Sequence, residues 1–272
     1  MKLCAWAAGA LLPACIWASP VTNTVNVLDL IRRGEFETHL NAKAELHDPA
    51  ADVFQLRDGQ LHVSGRGYGY LATRDVFSDY HLVLEFKWGQ HTWGKRTACA
   101  RDNGILVHAF GPHGANGGTW IASIEANIIE GGIGDIIVIG AKGPDGKPLA
   151  PSVTCEIALD RDGEKCWKAG APRQTVTGGR VNWEKRDPDW ADRLGFRGKD
   201  DPDAPVGEWN RLEVVARGDT LRFFVNGRLV NEAFNVSPRE GRVCIQTEGA
   251  ELIARRFELW PLDRFHEPWP AK

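Results

Sequence analysis

The stretch 123–135 combines residue types that could do chemistry with a spacing that would gather them on one surface. Polar and apolar residues alternate along it, as in a half-buried strand, so Ser123, Glu125 and Asn127 share one face. A second acid, Glu130, follows directly and precedes a pair of glycines. A strand that directs a hydroxyl, a carboxylate and an amide to one side predicts a polar floor for a binding or active site.

Other residues could complete such a site. Glu125 is the first candidate for a catalytic base or metal ligand, and His108 is the second, because imidazole titrates near neutral pH. Glu130 is the third catalytic candidate, provided that the strand ends or bulges beside it, since strict alternation would turn it to the opposite face. The candidate substrate-binding residues are Asp102, Asn127, Glu85, Lys87, Gln246 and Trp120.

Each of these residues also has a purely structural interpretation. Glu125 and Gln246 could form hydrogen bonds across a sheet, and His108 could be an ordinary core residue. Asp102 precedes a turn, where aspartate commonly caps the backbone. Glu85 and Lys87 could form a cross-strand ion pair.

Composition and the N-terminus bound the class of protein. The chain has 272 residues and a net charge of -3 with no basic stripe, which argues against a nucleic-acid partner.

Residues 1–18 resemble an export signal: Lys2, an apolar run, and small residues at the end. The run is short and contains Pro13, so we expect no membrane span. Cys15 lies in a loose lipoprotein-type sequence and is a candidate lipid anchor. These features predict a secreted or periplasmic protein.

Export would permit disulfides. Beyond the leader the chain has four cysteines, which allow three pairings. Cys155 and Cys166 flank the polar turn 160–164, so a local bridge between them is the preferred prediction; four buried free thiols are the alternative. The cysteines lack the spacing of a zinc site.

Short strands with turn signals between them dominate the rest of the chain. Asp58-Gly59 and Asn226-Gly227 each separate two extended segments, as in tight hairpins. The sequence predicts an all-β antiparallel β-sandwich over 56–262, preceded by a lead-in segment, 19–55, and followed by a tail, 263–272. Within the sandwich, 143–203 is rich in Asp, Gly and Pro and predicts a long irregular loop insertion.

Six pieces of sequence, in order, resemble the 3-keto-disaccharide hydrolase family, formerly a domain of unknown function with a concanavalin- or LamG-like jelly roll. The resemblance spans Leu56 to Leu262. Its pieces are SDYHLVLEF at 78–86, DNGI at 102–105, EANI at 125–128, GEWNRLEV at 207–214, NG at 226–227, and VCIQTEG at 243–249 followed by RRFELWPL at 255–262. Asn127 stands where the family usually has glutamine.

The resemblance implies an enzyme that cleaves 3-keto-glycosides, with a partner sugar 3-oxidoreductase that produces them. A ketone at C3 acidifies the C2 proton, so a base can remove it while the glycosidic oxygen leaves from C1; water then adds. This route needs a base, an acid and a group that polarises the ketone. A divalent metal ion held by Glu125 or His108 could polarise it. The alternatives are a non-catalytic, lectin-like carbohydrate-binding module and a scaffold domain at the cell surface.

Overall fold

A computed structural model of the chain describes residues 18–270. The predicted signal peptide, apart from Ala18, and the candidate anchor Cys15 lie outside the described residues. Two short α-helices, α1 (Val27–Arg32) and α2 (Ala50–Val53), and a 3-10 helix, Gly94–Thr97, occur in this range. Within residues 18–270, no helix has the length and apolar character that crossing a membrane requires.

Strands make up most of the described chain. They are β1 (Ser19–Pro20), β2 (Val25–Asn26), β3 (Phe36–Leu40), β4 (Phe54–Arg57), β5 (Gln60–Val63), β6 (Tyr68–Thr73), β7 (Phe77–Ser78), β8 (Tyr80–Thr92), β9 (Asp102–Phe110), β10 (Ala122–Ile129), β11 (Ile136–Ile139), β12 (Ala141–Lys142), β13 (Pro148–Leu149), β14 (Ser152–Leu159), β15 (Lys165–Trp167), β16 (Arg173–Val176), β17 (Gly179–Val181), β18 (Asn210–Arg217), β19 (Thr220–Val225), β20 (Arg228–Ser237), β21 (Arg242–Glu248) and β22 (Ala250–Pro261).

Two antiparallel sheets form the predicted β-sandwich. The smaller sheet has seven strands in the order β17-β11-β10-β9-β21-β6-β3. The larger has eleven strands and follows the path β15-β14-β20-β19-β18-β8-β22-β5-β4, with β16 beside β14 and β2 beside β22. The fold class predicted from the strand pattern is therefore confirmed.

The main core lies between the inner faces of the two sheets. Alternate residues of the long strands point into it, among them Ile124 and Ile128 from the smaller sheet and Leu84 and Phe86 from the larger one. All four are fully buried, as the apolar half of an alternating strand should be. The other half of each strand faces outward, and this alternation positions the site described below.

The two predicted hairpins form with their turns as expected. Asp58 and Gly59 both have positive φ, 50° and 76°, between β4 and β5. Asn226 and Gly227 do the same, at 49° and 79°, between β19 and β20. These dihedral angles are those of a tight turn that matches the twist of the strands.

The predicted insertion, 143–203, is less irregular than its composition indicates. It contains β14, which pairs with β20 and extends the larger sheet. Val153, Cys155 and Ile157 are buried in the core and alternate with polar residues, which is a strand pattern. The stretch from Trp183 to Glu208 contains no strand and continues past the predicted end of the insertion at 203.

The predicted disulfide between Cys155 and Cys166 is wrong: both thiols are free and buried. Cys166 pairs across the hairpin with Ala158, three residues beyond Cys155. Three residues of strand span roughly 10 Å, beyond the approximately 7 Å between Cα atoms that a disulfide can bridge. An odd separation also turns the two side chains to opposite faces. Cys99 and Cys244 are free as well.

Candidate functional site

A cleft of about 490 Å³ opens on the outer face of the seven-stranded sheet. Its floor comes from the central strands β9, β10, β11 and β21, and its rim from the loops 111–121 and 177–178. The residues that line it are Asp102, Asn116, Trp120, Glu125, Asn127, 137–140, 177–179, Gln246 and Glu248.

The pairing of β10, β9 and β21 brings Glu125 and Gln246 together at the centre of the floor. Between them lies Gly104, which pairs with Asn127 on β10. A Cβ atom at Gly104 would lie 2.4 Å from Oε1 of Glu125 and 2.5 Å from Oε1 of Gln246. The missing side chain therefore provides the space in which the carboxyl and the amide meet.

Amide groups on the floor are buried but lack partners. Asn127 is 1% exposed, and neither its Oδ1 nor its Nδ2 has a hydrogen-bond partner. Gln246 is 2% exposed, and its Oε1 also lacks one. A buried polar atom without a partner costs about 1–3 kcal/mol. A ligand with hydroxyl and carbonyl groups would satisfy these atoms, so they indicate a binding site for such a molecule.

The surroundings of the Glu125 carboxyl group favour its protonated form. Its burial raises its pKa well above the usual value, and the negative charges of Asp102 and Glu248 raise it further. The charge of Arg180 and a hydrogen bond with the Gln246 side chain oppose this shift without cancelling it. These effects together favour the protonated form of Glu125, which suits a proton donor.

Asp102 is the second buried acid of the cleft, and Arg96 binds it. The Arg96 guanidinium contacts the carboxylates of Asp102 and Glu248, the latter at 2.6 Å. It also lies 3.5 Å from Asp192. Burial, followed by the charge of Glu248, raises the pKa of Asp102 to about 8 despite the ion pair. The Arg96 guanidinium does not cancel the effect of burial, because three carboxylates share its charge.

Five of the predicted site residues line the cleft: Asp102, Trp120, Glu125, Asn127 and Gln246. Sequence reasoning missed Glu248, Arg96, Asn116 and Thr177. Glu248 could have been found, because it is two residues beyond Gln246 and so shares its strand face. Arg96 has no such signal in the sequence, and its side chain is only 4% exposed.

His108 does not line the cleft. It lies at a β-bulge, where the pairing of β9 with both β10 and β21 shifts register, and its φ is +51°. Its ring packs edge-on against Tyr80, a core residue of the larger sheet, and its Nδ1 is 2.9 Å from the Pro238 carbonyl. Burial lowers the pKa of His108 to about 4. His108 is thus a neutral core residue, and its ring faces away from Glu125.

Glu130 lies past the end of β10, as its predicted role required, but its carboxylate is engaged elsewhere. Oε1 accepts a hydrogen bond from the Arg101 guanidinium at 2.7 Å, and Oε2 accepts from the backbone N–H groups of Arg101 and Gly195. These bonds join the end of β10 to the irregular segment 183–208. The geometry gives Glu130 a structural role outside the cleft.

Glu85 and Lys87 lie on the other sheet. Both are on the outer face of β8, so the whole sandwich separates them from the cleft. Glu85 accepts hydrogen bonds from Arg211 and Arg255, and Lys87 stacks over the Trp209 ring. The predicted common floor with Glu125 does not form, because strand parity fixes the face of a sheet but not which sheet a strand joins.

The predicted metal ligands, Glu125 and His108, point to opposite faces of one sheet and cannot bind the same ion. Residues 18–270 contain no group of three or more His, Cys, Asp or Glu side chains arranged to hold a metal ion. We therefore derive no step through a metal. What the cleft offers is two buried acids with raised pKa values, a guanidinium and two amides with unpartnered atoms.

Comparison with known proteins gives one family match. The sequence pattern of the 3-keto-alpha-glucoside-1,2-lyase-like domain matches residues 34–259, most of the chain. No curated protein sequence matches the chain significantly.

Solved structures of similar shape include two described as enzymes. A putative glycosyl hydrolase from Parabacteroides distasonis ATCC 8503 is 13% identical, with 85% of this chain and 89% of that chain covered and a TM-score of 0.44. The β-glucanase of Bacillus licheniformis is 9% identical, with coverages of 88% and 97% and a TM-score of 0.44. A carbohydrate binding module from Bacillus subtilis is 12% identical, with coverages of 82% and 94% and a TM-score of 0.39.

Proposed function

The chain belongs to the family of 3-keto-alpha-glucoside-1,2-lyase-like domains, and we propose that it cleaves the glycosidic bond of 3-keto-glycosides by elimination. Family membership makes it a carbohydrate-related protein; the 3-keto substrate and the route are our proposal. One observation carries it: two buried carboxyl groups with raised pKa values, Asp102 and Glu125, line one cleft together with the unpartnered amide of Asn127.

The reaction needs one group that takes a proton and another that gives one. The C2–H bond breaks, its electrons form the C1=C2 double bond, and the C1–O bond breaks so that the oxygen leaves with a proton. Two neighbouring carboxyls of raised pKa suit this exchange, since one can be ionised while the other stays protonated. Addition of water across the double bond would complete a net hydrolysis.

We assign the base to Asp102 and the acid to Glu125. Arg96 contacts Asp102 directly and favours its ionised form, whereas burial and the neighbouring negative charges favour the protonated form of Glu125. Asp102 would remove the C2 proton, and Glu125 would protonate the leaving oxygen. The Nδ2 of Asn127 would donate a hydrogen bond to the ketone oxygen as negative charge develops on it.

Incubation with a synthetic methyl 3-keto-α-glucoside tests the proposal. We expect release of methanol and a keto sugar, with the unoxidised methyl α-glucoside left intact because its C2 proton is not acidified. Parallel reactions with EDTA would reveal a metal requirement as lost turnover. Binding of the keto sugar without release of methanol would contradict the proposed enzymatic activity and favour a non-catalytic carbohydrate-binding module.

The proposal also covers the source of the substrate and the location of the protein. A 3-keto sugar arises by oxidation of the C3 hydroxyl, so a sugar 3-oxidoreductase would act before this protein. We also propose that the protein is secreted or periplasmic, on the strength of its N-terminal sequence. N-terminal sequencing of the exported protein tests this: a start at Ser19 supports cleavage of the leader, and a lipidated Cys15 supports anchoring instead.

A further inference from the structure

A second cavity of about 400 Å³ continues from the cleft along the same face. Its walls are the loop around Ala115 on one side and the β12–β13 hairpin with Ala150 on the other. Asn116, Gly140 and Thr177 line both cavities, so the two spaces are contiguous. We call this second cavity the shelf.

The junction between cleft and shelf is well defined. Asn116 donates a hydrogen bond from Nδ2 to the Gly140 carbonyl at 2.6 Å, and its own N–H bonds to the Trp120 carbonyl at 2.9 Å. The first bond ties the loop to the strand end beside the hairpin. A ligand that extended beyond the cleft floor would pass this junction and enter the shelf.

The lining of the shelf differs chemically from that of the cleft. Three carboxyls line the cleft, but the shelf's lining residues include none, and Lys142 is the one charged residue among them. Most are apolar or glycine; the apolar ones are Ala115, Ala141, Pro148, Leu149 and Ala150. Leu149 is part-exposed and extends over Gly111, where a Cβ atom would lie 2.6 Å from its Cδ1.

We propose that the shelf holds the leaving group of the substrate and selects an apolar aglycone over a second sugar. This inference rests on the proposed function, which puts the keto sugar in the acidic cleft. The shelf lining carries no carboxylate and no aromatic ring, and it has few groups to pair with sugar hydroxyls. An alkyl or aryl group would leave no hydroxyl desolvated there.

A matched pair of substrates tests the shelf. Methyl and hexyl 3-keto-α-glucoside share the same keto sugar and release alcohols of similar acidity, so their difference reports contacts with the chain. We expect kcat/KM to be about tenfold higher for the hexyl compound, the gain that burial of about two methylene groups gives. A 3-keto disaccharide should be cleaved less efficiently than the hexyl compound.

Two variants connect that preference to the shelf. Leu149→Asn and Ala150→Asp should each reduce the hexyl-to-methyl ratio to near one, with methyl turnover within about twofold of the wild type. Ala150 is exposed, so that variant remains informative if Leu149→Asn folds poorly. Leu159→Asn is the matched control, because Leu159 is 64% exposed and lines neither cavity.

The outcomes separate the two proposals. Two results would overturn the proposed role of the shelf and leave the proposed cleavage activity intact. One is cleavage of the methyl compound without a preference for the hexyl compound, and the other is a preference that both shelf variants retain. If neither compound is cleaved, the enzyme is overturned, and calorimetric binding of the two compounds decides the shelf. Equal affinities would then overturn it, and tighter hexyl binding that Ala150→Asp abolishes would support it.

Discussion

Glu125 and Glu130 are five residues apart and equally buried, at 5% exposure each, yet their surroundings give them different properties. Glu130 has a guanidinium and two backbone donors, so its charge is compensated. Glu125 has other acids and an amide as its neighbours, so its neutral form is favoured. Burial alone therefore does not mark a candidate catalytic acid, whereas burial without a compensating charge does.

Replacement of the proposed acid tests this distinction. Glu125→Gln keeps the shape of the side chain but removes the proton that the leaving oxygen needs, so we expect kcat to fall by about 10²–10⁴. Turnover of methyl 3-keto-α-glucoside and circular dichroism would be measured together. Glu213→Gln, at a buried glutamate of the larger sheet, is the control and should keep wild-type kcat. A fully active Glu125→Gln would remove Glu125 from the mechanism.

The pH profile reports the proposed base. Asp102 must be ionised to take the C2 proton, and its pKa is raised to about 8. Below that pH, kcat/KM should rise about tenfold per unit as the ionised fraction grows, and it should fall again at higher pH where Glu125 loses its proton. Initial rates measured from pH 5 to 10 would show this bell-shaped dependence of kcat/KM on pH. A profile that is flat between pH 5 and 8 would contradict the assignment.

At the scale of elements, the end of β10 holds the irregular segment 183–208 in place. Glu130 Oε2 accepts from Gly195, its backbone carbonyl accepts from the Trp190 indole, and its backbone N–H donates to Arg101. The glycine turn after Glu130 is thus an anchor for the segment rather than part of the cleft.

Disruption of the anchor should affect stability and leave catalysis unchanged. Glu130→Gln leaves the Arg101 guanidinium buried without its partner carboxylate, which should lower the free energy of unfolding by about 3 kcal/mol. Urea unfolding would measure the loss, and kcat at low temperature should stay within about twofold of the wild type. A large fall in kcat with unchanged stability would return Glu130 to the catalytic site.

Strand alternation predicted part of the site and could not predict the rest. It placed Glu125 and Asn127 on one face, because the alternation of side chains depends only on β10 itself. The position of His108 depends on a bulge beside Gly241, a residue far away in sequence that directly precedes β21. A Cβ atom at Gly241 would lie 2.2 Å from the His108 carbonyl carbon. Arg96 joins carboxylates from three separate segments. Such long-range contacts have no local pattern.

For the molecule as a whole, the acids of the cleft reduce stability as pH rises. A carboxyl whose pKa is higher in the folded than in the unfolded chain binds its proton more tightly when folded. Its stabilising contribution is present below the unfolded pKa and is lost as pH rises through the folded one. For Asp102 this stabilising contribution is lost between about pH 4 and about pH 8. The raised pKa of Glu125 changes the stability in the same direction.

Replacement of the proposed acid should therefore stabilise the fold in alkaline solution. Glutamine at 125 has no proton to lose, so Glu125→Gln should be more stable than the wild type at pH 8 by at least about 1 kcal/mol, and by less at pH 5. Thermal or urea unfolding at both pH values would measure the difference. A difference that does not change between pH 5 and 8 would show that Glu125 ionises as it does in the unfolded chain.

Gly104, the residue without a side chain beneath Glu125 and Gln246, has a consequence for the comparison of relatives. Any larger residue at that position would occupy the space where the carboxyl and the amide meet. A gene duplicate could keep the sandwich and its acidic strand and still lose the proposed reaction through one glycine-to-alanine change. When new genomes are surveyed, the residue aligned with Gly104 would separate relatives able to keep this chemistry from those that retain only the shape.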